Sequence, residues 1–454
     1  MTTSRLEIDL GAVDRNVAIL RQMLDTGGAG KVRLCGVIKQ DAYAMGAARI
    51  AKRLESVGAD LLSVYSLDEA RALADLPIET PILVLMPVHQ MERADALYRL
   101  ASRSRLHLVV HNLAQAGDLA SLATRMGVTL SCHVQLDTGL SRGGCLGEEA
   151  ERIVETIVNA TRLRLAGVMT HFSSPAADSE FTDEQARRFR LWIERIKPLL
   201  ARAAERGHGH CAVHAANTAA LLRSASLHGT MVRVGQGLYG YGLDDMAAPG
   251  VQFARQASSL EPAVRWVSRI AHVQNVPAGW PVGYGKTFVT RRPSRIALVP
   301  TGYAAGLPIS LGNVGSVGLT GRPWLRVPVS DASGADGDVV FAPIVGRVSM
   351  DQITVDVTDL PERFGAVNAE VELVGRTRGA PNHLPTLART AGTITHELLS
   401  RIGSGVERHY LASTSAPGRS AQQAGRDHPR VDAAGAAGAA AAAAERARRA
   451  ASAA

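Results

Sequence analysis

Lysine is scarce in this chain of 454 residues: of its 50 basic residues only five are lysines, at positions 31, 39, 52, 197 and 286. The setting of each amine is therefore informative. Aromatic residues make up only 4%, too few for the interleaved stacking platforms of single-strand nucleic-acid binders. Four cysteines, at 35, 132, 145 and 211, show no Cys-x-x-Cys pair and no shared histidine spacing. That excludes the common zinc and redox motifs and leaves buried, reduced thiols as the expectation, with no metal. No run reaches the ~18 uncharged apolar residues of a membrane span. The opening Met1-Thr2-Thr3-Ser4-Arg5 has neither the basic leader nor the apolar stretch of a secretory signal, so a cytoplasmic location is expected. No Gly-x-Gly-x-x-Gly follows the first strand and no Walker loop occurs, so a nucleotide cofactor has no support.

What is present is ample aliphatic content: 46% of residues are hydrophobic, with 44 Gly and 20 Pro to punctuate them. Global disorder is excluded. The net charge of +8 invites a nucleic-acid reading, but its distribution opposes one. Residues 411–454 carry six arginines against three acids, and the remaining excess is spread without a basic stripe. That terminal segment is Ala/Gly/Arg-rich low complexity without an amphipathic face and is expected to be a disordered appendage.

Upstream, short apolar runs alternate with helical periodicity. Eight runs read as buried strands: Leu34–Ile38, Leu61–Tyr65, Ile82–Leu85, Leu106–Val110, Thr129–Leu136, Leu163–Thr170, Cys211–His214 and Met231–Val234. Segments such as Ala47–Val57, Leu113–Met126, Glu148–Asn159 and Asp183–Ala204 between them have helical spacing. Eight such strands predict a parallel (β/α)8 barrel over residues 1–245 rather than an open doubly wound sheet. From 246 to 410 the rhythm becomes period two, with Gly/Pro/Asp turns, and predicts a mainly β domain. The run Leu6–Leu10 precedes the barrel and is a candidate member of that β domain.

The polar exceptions fall at strand ends, where this architecture puts its active site. Lys39 ends the first strand; Asp137 and Arg142 follow the fifth; His171 ends the sixth; Asn217 and Thr218 follow the seventh; Arg233 lies in the eighth. A lysine at an apolar strand end is desolvated, which favours its neutral amine and suits covalent or base chemistry. A lone strand-end lysine is more often a salt-bridged side chain; several polar groups converging on one mouth outweigh that reading. Tyr43, four residues on, sits where a hydroxyl can reach a phosphate.

On these residues the chain resembles the alanine racemase family. The motifs are Val37-Ile38-Lys39-Gln40-Asp41-Ala42-Tyr43, Asp137-Thr138-Gly139-Leu140-Ser141-Arg142, Thr170-His171-Phe172, Asn217-Thr218, Val232-Arg233-Val234-Gly235, Val282-Gly283-Tyr284, Gly302-Tyr303-Ala304 and Met350-Asp351-Gln352. The resemblance covers roughly residues 4–410. It implies a pyridoxal 5'-phosphate (PLP) enzyme that interconverts L- and D-alanine with two bases: Lys39, which carries the cofactor, and Tyr284, delivered by the partner subunit of a homodimer. A phenol needs help to act as a base near neutrality, and His171, linked to Arg233, is the implied helper. Arg233 is implied to face the pyridine nitrogen, keeping it unprotonated, since arginine does not readily give up a proton. Tyr43, Asn217, Thr218, Gly235, Gln236 and His396 are implied cofactor contacts; Arg142, Met350 and Asp351 are implied substrate contacts. Cell-wall D-alanine supply is the implied role.

Some positions depart from the family pattern. Ala44-Met45-Gly46 stands where Gly-His-Gly is usual, Gln135 replaces a buttressing lysine that is often carbamylated, and Ala305 replaces an aspartate. Thr218 replaces a serine and His396 replaces a tyrosine at the entrance. The last change predicts a gate that admits substrates beyond alanine, such as serine. Competing readings are a decarboxylase of the same fold, a PLP carrier built on a lone barrel, and a nucleic-acid role for the tail. Decarboxylases place an acid where Arg233 stands and use a cysteine from the β domain, yet no cysteine follows position 211.

Overall fold

The computed structural model describes residues 3–25, 31–242, 251–324 and 339–411. The boundary expected at 245/246 and the low-complexity segment after Leu411 lie outside them. The strands are β1 (Arg5–Asp9), β2 (Arg33–Val37), β3 (Leu61–Val64), β4 (Ile82–Val84), β5 (Leu106–Val110), β6 (Leu130–Gln135), β7 (Leu163–Met169), β8 (Ala212–His214) and β9 (Met231–Val234). They continue as β10 (Val264–Arg269), β11 (His272–Val276), β12 (Pro281–Val282), β13 (Phe288–Val289), β14 (Ser294–Val299), β15 (Ser316–Pro323), β16 (Val340–Pro343), β17 (Ile353–Asp356), β18 (Ala369–Val374) and β19 (Glu407–Leu411).

Strands β2 to β9 form the eight-stranded parallel sheet that the apolar runs predict, in the order β8-β7-β6-β5-β4-β3-β2-β9. Backbone bonds from Thr230 N–H to the Val213 carbonyl (2.8 Å) and from Arg233 N–H to the Ala216 carbonyl (2.9 Å) join the two end strands and close the ring. Within it, Cys35, Leu61, Leu83, Val109, Met169, Ala212 and Met231 pack into a filled apolar plug. The barrel is thus a core and not a pore. The outer helices follow from sequence spacing. In Gly147–Asn159, Ala150, Ile153, Val154, Ile157 and Val158 form the buried stripe. Asn112 caps Leu113–Met126 through the Gln115 N–H (2.8 Å), and Gly127, at φ +70°, ends it.

The β region differs from the sequence expectation in two ways. The run Val264–Val276 is two strands, β10 and β11, which break at Ile270–Ala271 and enter different sheets. The helices Leu384–Thr390 and Thr395–Arg401 carry no strong period signal, yet they supply the wall that faces the barrel mouth. β1 lies in the six-stranded sheet β16-β15-β18-β10-β1-β19, antiparallel to β10 and parallel to β19. Its register sets Glu7 opposite Arg265. Arg265 bridges Glu7 (3.0 Å), Glu370 and Glu372, while Arg5 also reaches Glu7 and Glu370. Burial alone would raise the Glu7 carboxyl; Arg265 and Arg5 outweigh it and hold it below its usual range.

Removing one partner of such a buried cluster leaves uncompensated charge. Arg265→Met is expected to cost about 3 kcal/mol of stability, the low end for a buried pair because Arg5 remains. Urea unfolding that shows a loss below about 1 kcal/mol would contradict this.

Candidate active site

Lys39 leaves the end of β2 into an unusual turn. Gln40, Asp41, Ala42, Tyr43 and Ala44 all have φ between +51° and +65°, a continuous left-handed stretch of non-glycine residues. Each costs roughly 1–2 kcal/mol in isolation, so the surroundings must impose the conformation. They do so by capturing its backbone. Gln40 N–H donates to Glu69 (2.8 Å), Ala42 N–H to the Ile38 carbonyl (2.8 Å), and Ala47 N–H to Asp41 (2.7 Å). From β19, Arg408 donates to the Ala44 carbonyl and Tyr410 to the Met45 carbonyl, both at 3.0 Å. Gly46 has φ +86°, and a Cβ there would lie 1.9 Å from the Tyr410 oxygen, so only glycine fits under that clamp. Met45 is fully buried, a core residue at its departure from the family pattern.

The turn delivers Lys39 and Tyr43 to a cavity of about 1280 Å3 at the carboxyl ends of the barrel strands. Arg142, His171, Asn217, Thr218, Arg233, Gly235, Gln236 and His396 line the same cavity, with Pro385, Ala388 and Thr393–His396 as its far wall. Burial lowers the Lys39 amine below its usual range, Arg142 lowers it further, and Glu69 partly offsets both. The neutral amine is therefore more populated than in water.

One side of the cavity is a cradle. Asn217 caps Thr218–Arg223 through the Ala220 N–H (3.1 Å). The Thr218 hydroxyl oxygen accepts the Gly235 and Gly237 N–H groups at 3.3 and 3.4 Å. The buried Tyr43 hydroxyl lies where a Gly235 Cβ would be, 2.1 Å away. Its ring stands 5.9 Å from that of His396. Burial first and Lys39 second lower the His396 imidazole, so it faces the cradle as a neutral group.

The opposite side is organised by Arg233, which is 4% exposed. Its Nη1 contacts the His214 carbonyl (3.0 Å) and Nδ1 (2.8 Å), and its Nη2 contacts the carbonyls of Thr170 (2.9 Å) and Ala215 (3.1 Å) and the Nδ1 of His171 (3.2 Å). Burial lowers the guanidinium to about 10, still a cation at neutral pH. Since arginine only donates, His171 and His214 must accept at Nδ1 and carry their proton on Nε2. His171 is lowered to about 3, by burial and then by Arg233, Arg142 and Lys39.

The same logic continues into the barrel. His214 Nε2 lies 2.9 Å from His133 Nδ1, and His133 Nε2 lies 2.9 Å from His107 Nδ1. Three neutral imidazoles thus form a one-way donor column starting at Arg233. Sequence reasoning missed them, although their spacing was visible: His107 and Val109 on β5, His111 just beyond it, and His133 and Gln135 on β6 share the inward period-two parity.

The Asp137–Arg142 motif proves to be loop architecture as well as chemistry. The Asp137 carboxylate accepts the N–H groups of Gly139 (2.8 Å), Leu140 (3.0 Å) and Ser141 (3.0 Å). Gln135 donates to the Gly143 carbonyl (2.8 Å), not toward the Arg142 guanidinium, and His111 accepts the Gly144 N–H (2.9 Å). Among the described residues Arg142 has no carboxylate partner and stands exposed at the rim.

Tyr284, Met350 and Asp351 are not in this cavity. Tyr284 is 73% exposed on the turn between β12 and β13, and Met350 is 55% exposed on a loop held by the Ala304 N–H. All four cysteines are free, and no cluster of metal-ligating side chains occurs among the described residues. No described helix is long and apolar enough to cross a membrane.

The family descriptions "Alanine racemase, N-terminal domain" and "Alanine racemase, C-terminal domain" match residues 8–242 and 263–410. The chain belongs to the alanine racemase family. A relative from Syntrophobacter fumaroxidans, named alanine racemase, is 34% identical over 89% of this chain and 96% of its own. Among solved structures, alanine racemase from Streptomyces coelicolor A3(2) is 30% identical with a TM-score of 0.74, covering 90% of this chain and 98% of that one. Alanine racemase from Bartonella henselae, described with covalently bound pyridoxal phosphate, is 25% identical with a TM-score of 0.70, covering 90% of this chain and 100% of that one. As in these relatives, the eight-stranded parallel barrel is joined to a mainly β part.

Two outcomes test this geometry. Gly235→Ala should displace the Tyr43 hydroxyl and weaken retention of a phosphate-bearing cofactor at least ~10-fold, about 1.4 kcal/mol, while leaving circular dichroism unchanged; equal retention on dialysis would contradict the cradle. The buried histidines also set an acid limit. Their folded values lie below the ordinary 6.5, at about 4 for His107 and about 3 for His171, so the unfolded chain binds more protons as pH falls. Stability contributed above pH 6.5 is then lost toward pH 4, by up to about 1.4 kcal/mol per pH unit and histidine. Denaturation midpoints that stay flat between pH 7 and 5 would refute this.

Proposed function

We propose that this PLP-dependent alanine racemase acts as a cytoplasmic homodimer, with a barrel unit of residues 1–245 and a β unit of 246–410. The observation that carries the proposal is the convergence of Lys39, Tyr43, His171 and Arg233 on one cavity inside a family match spanning most of the chain. The donor set fits the cofactor. A desolvated amine, a hydroxyl and backbone N–H cradle for a dianion, and a buried guanidinium for a ring nitrogen are the three recognition elements it needs. Lys39 would hold it covalently, and Tyr43, Thr218, Gly235, Gln236 and His396 would surround its phosphate, with Asn217 fixing Thr218. When bound, PLP supplies an electron sink that acidifies the α-carbon of an amino acid.

The chain's own groups explain the choice of reaction. Among the described residues, Arg233 spends Nη1 and Nη2 on fixed acceptors, so its Nε–H is the donor left for the ring nitrogen. A permanent donor keeps that nitrogen unprotonated, which moderates the sink and favours simple proton exchange over deeper chemistry. Lys39, as a neutral amine, serves one face of the α-carbon. Tyr284 of a second copy serves the other; its exposure outside its own chain's cavity is what a donated base requires. His171 presents an Nε2–H that stabilises a phenolate by donation, and its low basicity keeps it from taking the proton for itself. Arg142 at the rim, with Met350 and Asp351 of the second copy, would bind the substrate carboxylate end. The imidazole of His396 in place of a larger phenol supports a gate that also admits serine, alongside a role in D-alanine supply for the cell wall.

Purified protein should be yellow and racemise alanine. Lys39→Ala should lose both properties. Tyr284→Phe should keep the colour and lose at least ~100-fold in turnover, the range for removing a general base. Mixing the two inactive variants should restore activity through one intact site per mixed dimer. Failure of complementation with both variants folded and dimeric would refute donation of Tyr284 in trans.

A further inference from the structure

The amino end of the barrel, opposite the active mouth, holds a second cavity of about 190 Å3. Arg33 opens β2 there, Arg164 is the second residue of β7, and His107 and Ser104 close the side nearest β5. Neither guanidinium makes a hydrogen bond or ion pair among the described residues, and Arg33 Nη2 and Arg164 Nε are also shut off from solvent. The carboxylate on the wall, Asp60, is already engaged: its Oδ2 accepts the Leu34 N–H (2.8 Å) and Arg21 Nη2 (3.0 Å). Both arginines lie close enough to His107 to lower its basicity after burial has done so.

Two half-buried cations with no partner are costly, because water can satisfy an N–H but cannot cancel the charge. Both arginines line a chamber with room for a tetrahedral ion and a few waters. We propose that this cavity is an anion site that takes a small oxyanion of the phosphate or sulfate kind, held by Arg33 and Arg164. Planar guanidinium forks match such oxygens in pairs. The ion sits beyond His107, at the far end of the imidazole column that begins at Arg233, so its charge lies in line with the dipoles that orient that arginine.

The test is calorimetric titration of the PLP-loaded protein with sodium phosphate, at an ionic strength held constant with sodium chloride. One saturable phosphate per chain is expected, with sulfate competing for it. Arg33→Met and Arg164→Met should each weaken binding at least ~10-fold while keeping the yellow absorbance and turnover. If a methionine variant does not fold, Arg164→Lys, which keeps the charge and loses the fork, should weaken phosphate by a smaller but measurable factor. Absence of saturable binding overturns the proposal. So does binding that keeps its strength in the arginine variants, or that L-alanine displaces, since either result puts the anion on Arg142 at the other mouth.

Discussion

A single buried guanidinium organises the catalytic end of this molecule. Arg233 is held by carbonyls at the ends of two neighbouring strands, those of Thr170, His214 and Ala215, close to the seam where β8 meets β9. It therefore secures the weakest junction of the ring while fixing the protonation pattern around it. Because it can only donate, it dictates the tautomers of His171 and His214, and through His214 those of His133 and His107. The protonation pattern of the cavity and the closure of the ring share this residue, and neither could be changed without disturbing the other.

Much of this was legible in the sequence, for definite physical reasons. Strands buried on both faces read as unbroken apolar runs, which is why the eight barrel strands emerge within a residue or two of their observed ends. Strand-end polarity located Lys39, His171 and Arg233, because inward parity carries every second residue to one mouth. Other features had no local signal. The left-handed turn after Lys39 runs against the preferences of its residues and exists because Arg408 and Tyr410, more than 360 positions away in sequence, hold its carbonyls. The two helices of the far wall are short, and tertiary contact decides them. The histidine column was visible as spacing, but each member alone reads as an ordinary core residue.

The division of labour between the two parts is physical as well as chemical. The barrel buries and desolvates; the β part walls and clamps. It closes the cavity with Pro385, Ala388 and His396, clamps the turn that carries Lys39, and exposes Tyr284 and Met350 on a hairpin and a loop that do not touch their own cavity. Gln135 shows how a departure from the family pattern can be absorbed: its amide secures the loop carbonyl at Gly143 and leaves Arg142 exposed at the rim.

The pairing of β1 with β19 has a consequence for the turn after Lys39. The first described strand finds its parallel neighbour only when the last described strand is in place, and that same strand carries the two side chains that lock the peptide beside Lys39. Without β19 the turn after Lys39 would keep only its barrel-side contacts, those made by Glu69, Ile38 and Asp41.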